Sequence, residues 1–248
     1  MRQLYPASRE LELAQAYAGL TLTPGIDRAA VAIGMVASVD GGAAVGGVTA
    51  DLGGEADAVA FRRLRAATDA ILVGAGTVRD EGYGPVGGNA ERRADRVARG
   101  LAERPRLVIV TGSLNLDADH RVFADPDHPP LIVTHARAPG DREERLAGVA
   151  EVVRLGDDDV DLLALLRDLC DRGYPRVLCE GGPSLNGALL AAGLIDEVFL
   201  TVAPALVGGD ASRIVVGPDL DQPVDLALIG LYEHDGELLV RYGRTSAR

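Results

Sequence analysis

Three glycine clusters and two carboxylates are the residues of this chain whose types and spacing point to chemistry. The clusters are Gly74-Ala75-Gly76-Thr77, Gly181-Gly182-Pro183-Ser184 and Gly208-Gly209, each just after an apolar run. In an open α/β sheet, ligands bind outside the carboxyl ends of the strands. Glycine at that position lets the backbone approach a phosphate, and a following helix N-terminus offers unpaired N–H groups. The second cluster is the sharpest. Val177 to Glu180 reads as a strand, Gly181-Gly182 as a turn, and Pro183 fits the first helical position, where its missing N–H costs nothing. Ser184, Leu185 and Asn186 then present their amides at the positive end of a helix, a setting that suits a pyrophosphate. A tight strand-to-helix turn without a ligand would leave the same pattern. The first cluster lacks the third glycine of G-x-G-x-x-G, because Arg79 stands there, so it is a weak dinucleotide fingerprint. It still makes a phosphate- or ribose-facing loop with Thr77 as hydroxyl donor.

The carboxylates are Asp40 and Glu180. Asp40, in Ser38-Val39-Asp40-Gly41, sits at a strand end and reads first as an ordinary Asp-Gly turn. Glu180 closes an apolar strand beside a glycine turn, so it must find a partner or the solvent of a cleft. That position favours ligand contact. Asp57, Arg62, Arg63 and Arg65 read as a solvated helix face, as do the charges from Glu91 to Arg99, although either arginine group can supply a phosphate contact. Cys170 and Cys179 form no disulfide framework and read as small buried residues. The four histidines are scattered, and neither H-E-x-x-H nor C-x-x-C occurs, so no metal site is expected.

The elements that must position these groups alternate. Strands are expected at Ala30–Ser38, Ala70–Val73, Arg106–Thr111, Leu131–Thr134, Glu151–Arg154, Arg176–Cys179 and Glu197–Val202. Helices are expected at Glu55–Ala67, Asn89–Ala102, Val160–Arg172 (capped from Asp157–Asp159) and Pro183–Ala192. Ile214–Val216, Val224–Leu231 and Glu237–Tyr242 read as β segments without crossover helices, hence antiparallel additions. Short strands apolar on both faces belong in a helix-covered parallel sheet, so the fold class is α/β. Residues 1–29 read as an extension, with Leu11, Ala14, Tyr17 and Ala18 on one helical stripe, and residues 30–248 as one domain.

Composition sets the outer limits. The chain has 248 residues, 47% of them hydrophobic, which is enough for a core that needs no disulfide or metal staple. A formal charge of −12 with few aromatics disfavours nucleic acid. No apolar run approaches a bilayer span, and Met1 to Glu10 has no signal-peptide core, so a cytoplasmic protein without a membrane partner is expected.

Taken together and in order, SVDG, AILVGAGTVRDE, VLCEGGPSLNGALL and DEVFLTVAPALVGG resemble the reductase domain of the bacterial riboflavin-pathway deaminase–reductase, the RibD C-terminal domain. The likeness runs from about Val31 to Tyr242. The stretch Arg79-Asp80-Glu81-Gly82-Tyr83 is similar to the stand-alone actinobacterial type. The resemblance implies a dihydrofolate-reductase-like fold with a mainly parallel sheet. It also implies a homodimer, and an NADPH-dependent reduction of 5-amino-6-(5-phosphoribosylamino)uracil from ribosyl to ribityl. On that likeness Val36 and Ala37 contact the nicotinamide through backbone, and Gly76, Thr77 and Glu81 line the cofactor loop. Ser113 approaches the adenosine end, and the run Gly181, Gly182, Pro183, Ser184, Leu185, Asn186, Gly187, Ala188 holds the pyrophosphate. Glu180 and Thr49 face the substrate, and Asp40 orients or protonates it. The residues themselves agree with NADP over NAD, because Arg106–Thr111 leads into Gly-Ser with no carboxylate to bind a ribose 2′-hydroxyl.

The H-x-E and P-C-x-x-C ligands of the zinc deaminase half do not occur in this sequence, so at most the reductase activity is expected of it. The substrate segment after the threonine loop departs from the family pattern, reading Asp80-Glu81-Gly82-Tyr83-Gly84-Pro85, and Thr49 and Asp51 stand where a serine and a tryptophan are usual. Two alternatives therefore stand beside the main reading. One is a dihydrofolate-reductase-like or other heterocycle reductase, and the other is a protein that binds NADPH without turnover.

Overall fold

The structure, a computed structural model, describes residues 1–46, 49 and 52–245, so Asp51 lies outside the described residues. The chain folds as two compact units: Met1–Leu22, Val31–Ala67 and Cys179–Arg248 form the first, Thr23–Ala30 and Thr68–Leu178 the second.

The first unit is built on six strands in the order β2 (Arg9–Glu10), β1 (Arg2–Tyr5), β10 (Leu226–His234), β11 (Glu237–Arg244), β9 (Glu197–Ala203) and β3 (Ala30–Ser38). Every neighbouring pair is antiparallel except β3 and β9, which run parallel with Val36 opposite Thr201 and Ala37 opposite Val202. The expected antiparallel C-terminal strands are thus β10 and β11. Helix α1 (Glu55–Ala67) forms over the expected span and buries Ala56, Val59, Ala60, Leu64 and Ala67, the stripe that a 3.6-residue period selects. The N-terminal residues do not make the expected amphipathic helix. They give β1, β2 and a single 3-10 turn at Leu13–Gln15, and Tyr17 lies edge-on to both Phe199 and Tyr232. Ile214–Val216 is not a strand.

The second unit is parallel. Strands β4 (Ala70–Gly74), β5 (Arg106–Val110), β6 (Leu131–Thr134) and β7 (Glu151–Arg154) pair in that order, with β8 (Arg176–Cys179) beside β4. Ile71, Leu72 and Val73 are fully buried, as an unbroken apolar strand predicts. Helix α3 (Ala90–Ala98) is capped by the Asn89 side chain, and α5 (Leu162–Asp171) by Asp161, two residues past the expected caps. Two further helices are α2 (Ala75–Asp80), within the first glycine cluster, and α4 (Gly140–Leu146). Arg96 corrects the expectation of a wholly solvated α3. It is 2% exposed, and its guanidinium donates to the carbonyls of Thr68 at 2.7 Å and Ala102 at 2.9 Å, with burial lowering its pKa to about 10. Cys179 is buried and its thiol is pushed up to about 12, also by burial, whereas Cys170 is half-buried.

Asp69 fastens β4 to β8. Its carboxylate accepts from the Arg176 backbone N–H at 3.0 Å, Nε at 2.8 Å and Nη2 at 3.0 Å. Removing one member of a largely buried pair strands the other, so Asp69→Ala is expected to cost about 3 kcal/mol. A lowered midpoint in chemical denaturation checks this, and an unchanged midpoint contradicts it.

Candidate active site

The first unit's site is built around the end of β8. Val177, Leu178 and Cys179 are fully buried, and the next side chain, Glu180, is only 2% exposed. An ionised carboxylate in that position needs a charged partner. Arg65, in the last turn of α1, provides it, with Nε on Oε1 and Nη2 on Oε2, both at 2.6 Å. This two-point fork fixes the guanidinium plane as well as neutralising the acid. Because the Arg65 side chain is 44% exposed, the pair presents an oriented cation at the surface.

Directly after Glu180, Gly181 takes φ +93°, a conformation that strains any other residue. The Gly181–Gly182 peptide is cis. Helix α6 (Pro183–Ala191) then starts with Gly182 as its cap and Pro183 in its first turn. Ser184 and Ala188 are exposed and Gly182 and Pro183 half-exposed, whereas Gly181, Leu185, Asn186 and Gly187 are buried. Asn186 is committed internally. Its Oδ1 accepts from the Cys179 thiol at 3.3 Å, and its Nδ2 donates to the Ile214 carbonyl at 2.8 Å. A Cβ on Gly187 would overlap the Val216 carbonyl, and the Val216 N–H donates to the Pro183 carbonyl at 3.0 Å. Segment 214–216 therefore braces the start of α6 through its backbone rather than as a strand.

Asp40 lies in the turn after β3, where Gly41 has φ +88°. Its Oδ1 accepts from the Ser38 hydroxyl at 2.6 Å and the Val207 N–H at 3.1 Å, and its Oδ2 from the Gly208 N–H at 2.7 Å. Those donors, Ser38 foremost, hold its pKa down at about 2. Near neutral pH it therefore carries no proton to give. Its carboxylate instead pins the third glycine cluster to the end of β3.

Asp57 corrects the expectation of a solvated α1 face. It is half-buried, its Oδ1 is shielded and has no hydrogen-bond donor among the described residues, and its carboxyl group is bonded by the Thr201 hydroxyl. Burial, opposed by Thr201 and reinforced by the charge of Glu237, raises its pKa to about 6. Asp57 stands three residues before Ala60 and seven before Leu64, so the helical period already placed it at the buried stripe. Arg65 carried no signal in the sequence beyond its membership of an arginine-rich helix. Thr49 is half-buried, and its carbonyl accepts from the Leu52 N–H at 3.0 Å.

The remaining predicted residues lie in the second unit. Gly76 and Thr77 are half-exposed in α2, Glu81 follows as its cap, and Ser113 is exposed after β5. Arg142 Nη1 donates to the Ser113 carbonyl and Arg79 Nη1 to that of Asn115, both at 2.9 Å, so two cations flank this loop.

The chain belongs to the family of the RibD C-terminal domain, whose model matches residues 29–240. It is 33% identical over 209 residues to the 2,5-diamino-6-ribosylamino-4(3H)-pyrimidinone 5′-phosphate reductase of Methanothermobacter thermautotrophicus, covering 83% of this chain and 93% of that protein. It is 32% identical over 179 residues to the riboflavin biosynthesis protein RibD of Mycobacterium tuberculosis, covering 71% of this chain and 42% of that longer protein. Among solved structures it is similar to a pyrimidine reductase-like protein from Corynebacterium diphtheriae, with a TM-score of 0.82 and 29% identity over 96% of this chain and all of the other. The curated relatives are oxidoreductases of riboflavin biosynthesis.

The Asp40 clamp predicts a pH signature. A carboxylate with a folded pKa near 2 stabilises the fold at pH values above its unfolded value of 3.8, and loses that contribution as pH falls toward 2. Asp40→Asn is therefore expected to melt below the wild type at pH 6, with the gap closing between about pH 4 and 2. A gap that stays constant over that range contradicts the clamp.

Proposed function

We propose that this chain is an NADPH-dependent reductase of a 6-ribosylaminopyrimidine 5′-phosphate, converting the ribosyl group to a ribityl chain. One observation carries the reading: a buried Glu180, paired with the part-exposed guanidinium of Arg65, and the start of α6 are joined by two glycines alone. That places an oriented cation and a set of helix-terminal amides next to each other, which suits a ligand carrying phosphates. The family membership supplies the reaction class. The relative from M. thermautotrophicus is named for the 2,5-diaminopyrimidinone, so that compound is to be assayed beside the uracil.

The residues fit the cofactor. Gly182 caps α6 without a side chain, Pro183 removes no needed donor, and Ser184 stands exposed at the helix start, a set that suits a pyrophosphate. The backbone of Val36 and Ala37 lies one strand from Thr201 and Val202 and would hold the nicotinamide amide. Thr77, Glu81 and Ser113, in the second unit, are cofactor residues on the family resemblance alone. When bound, NADPH supplies the hydride that reduces the sugar C1 of the opened imine. Glu180 and Arg65 orient the substrate, and Asp40 acts by positioning the loop at Val207–Gly208. The family resemblance carries the expectation of a second copy of the chain as partner. No described helix is long and apolar enough to cross a membrane, which accords with a cytoplasmic enzyme.

Two measurements test this reading. NADPH is expected to raise the melting temperature by ligand linkage, and NADH at equal concentration to do so much less. Equal shifts would sink the NADP assignment. Glu180→Gln keeps the shape but takes away the charge that fixes Arg65. It is expected to lower kcat/KM for the ribosylaminopyrimidine by roughly tenfold or more, since a hydrogen bond to a charged group contributes ~1.5–3 kcal/mol. NADPH affinity should stay within about threefold, below ~0.7 kcal/mol. Loss of NADPH affinity with substrate affinity retained would assign Glu180 to the other ligand.

A further inference from the structure

Residues 205–217 form a strap fastened at one end to the turn after β3 and at the other to the first turn of α6. At the β3 end the Val39 N–H donates to the Ala205 carbonyl at 3.0 Å, and the Ala43 N–H donates to the Ser212 carbonyl at 2.7 Å. Between these two bonds, the Val207 and Gly208 N–H groups donate to the two oxygens of Asp40. Val207 packs against Val36, Leu52 and Ala203. Gly42 leaves the strap its room, because a Cβ there would lie 3.1 Å from Ala211 Cβ and 3.3 Å from Val207 Cβ. At the α6 end the Ile214 carbonyl accepts from Asn186 Nδ2, and the Val216 N–H donates to the Pro183 carbonyl. Only Val207, Ala211, Ile214 and Val215 of the strap are half-buried, and the rest of it is exposed. A segment that buries so little apolar surface takes its position from its hydrogen bonds. Of the fastenings just named, the one at Asp40 alone is charged, and charge-assisted bonds are the stronger kind.

We propose that Asp40 is a positioning residue for the start of α6 and acts on it through this strap. The carboxylate fixes Val207 and Gly208 against the β3 turn. The strap carries that fix to Ile214 and Val216. Asn186, held between Ile214 and the Cys179 thiol, then seats the first turn of the helix against the end of β8. The consequence for NADPH rests on the reading of that turn as the pyrophosphate site, whereas the coupling itself does not. On that reading Asp40 governs cofactor affinity through the strap, in place of the substrate-protonating role that the family likeness implies. An asparagine cannot do the same work. Its amide has one acceptor oxygen where Asp40 uses two, so one strap N–H would face an NH2 group.

The test follows amide hydrogen exchange and nucleotide affinity in the full chain for two variants. Asp40→Asn cuts the charged fastening. Gly42→Val keeps the carboxylate and pushes the strap off the turn. In both, without ligand, exchange at the Asn186 and Val216 amides is expected to quicken about tenfold relative to the α1 amides of Ala60 and Leu64, which report any general loss of stability. Affinity is read with NADPH and with 2′-phosphoadenosine 5′-diphosphoribose, which keeps the pyrophosphate and lacks the nicotinamide. Both variants should lose about fivefold for each nucleotide, by the same factor within about twofold. Unchanged relative exchange at Asn186 and Val216 in either folded variant overturns the proposal. So does a loss for NADPH with the pyrophosphate probe still bound at full strength, which would place the action of Asp40 at the nicotinamide end. Quickened exchange in variants of a wild type that binds neither nucleotide would refute the cofactor reading while upholding Asp40 as the group that seats α6.

Discussion

A carboxylate buried at the end of a strand cannot stay ionised alone, and the pairing of Glu180 with Arg65 is the constraint around which the first unit is arranged. Leaving the buried carboxylate unpaired would cost several kcal/mol, so α1 must end where its last turn can deliver a guanidinium to the end of β8. Two glycines follow because the chain has to turn at once from that carboxylate into α6. The buried Asn186, bonded to Cys179 on one side and Ile214 on the other, and the close approach of Gly187 to Val216, then hold the helix start in place. Residues expected to touch a pyrophosphate thus divide by task. Those at the surface of the turn and helix remain available to a ligand, and the buried ones fix where that surface lies.

Three carboxylates of the same unit show how environment assigns different work to one functional group. Asp40 receives three donors and stays charged, so it is a clamp. Glu180 receives a guanidinium at both oxygens, so it orients a cation. Asp57 receives one hydroxyl, faces another carboxylate and is pushed up to about 6 chiefly by burial, so its charged form is the least favoured of the three. Sequence position alone does not separate these fates, because all three stand at or beside the end of an apolar element.

Much of the fold was legible because its strands are apolar without interruption and its helices are periodic. The run Ala70–Val73 admits little but a buried strand, and Glu55–Ala67 carries its stripe at 3.6-residue spacing. What escaped had weak or ambiguous local signals. Gly74 to Thr77 reads as a phosphate- or ribose-facing loop, yet Gly74 caps α2 and Ala75 and Val78 bury its inner side. Helix α4 buries only Leu146 and is otherwise charged. The stripe at Leu11, Ala14 and Tyr17 is satisfied without a helix, because the Tyr17 ring packs against Phe199 and Tyr232, residues nearly the whole chain away. At the site, the glycine turn and Glu180 were readable as chemistry, whereas the partners Arg65 and Glu237 come from tertiary contacts that no spacing encodes.

The account turns on hydride delivery to the sugar carbon of a ribosylaminopyrimidine phosphate. The most direct measurement is to incubate the protein with the 2,5-diaminopyrimidinone substrate and NADPH deuterated at the transferable position of nicotinamide C4. The product is then located by mass spectrometry and NMR. The account predicts NADPH oxidation coupled to a ribityl product carrying one deuterium at C1 of the chain. A product without deuterium at that carbon, or no oxidation of NADPH in the presence of either pyrimidine, would contradict it.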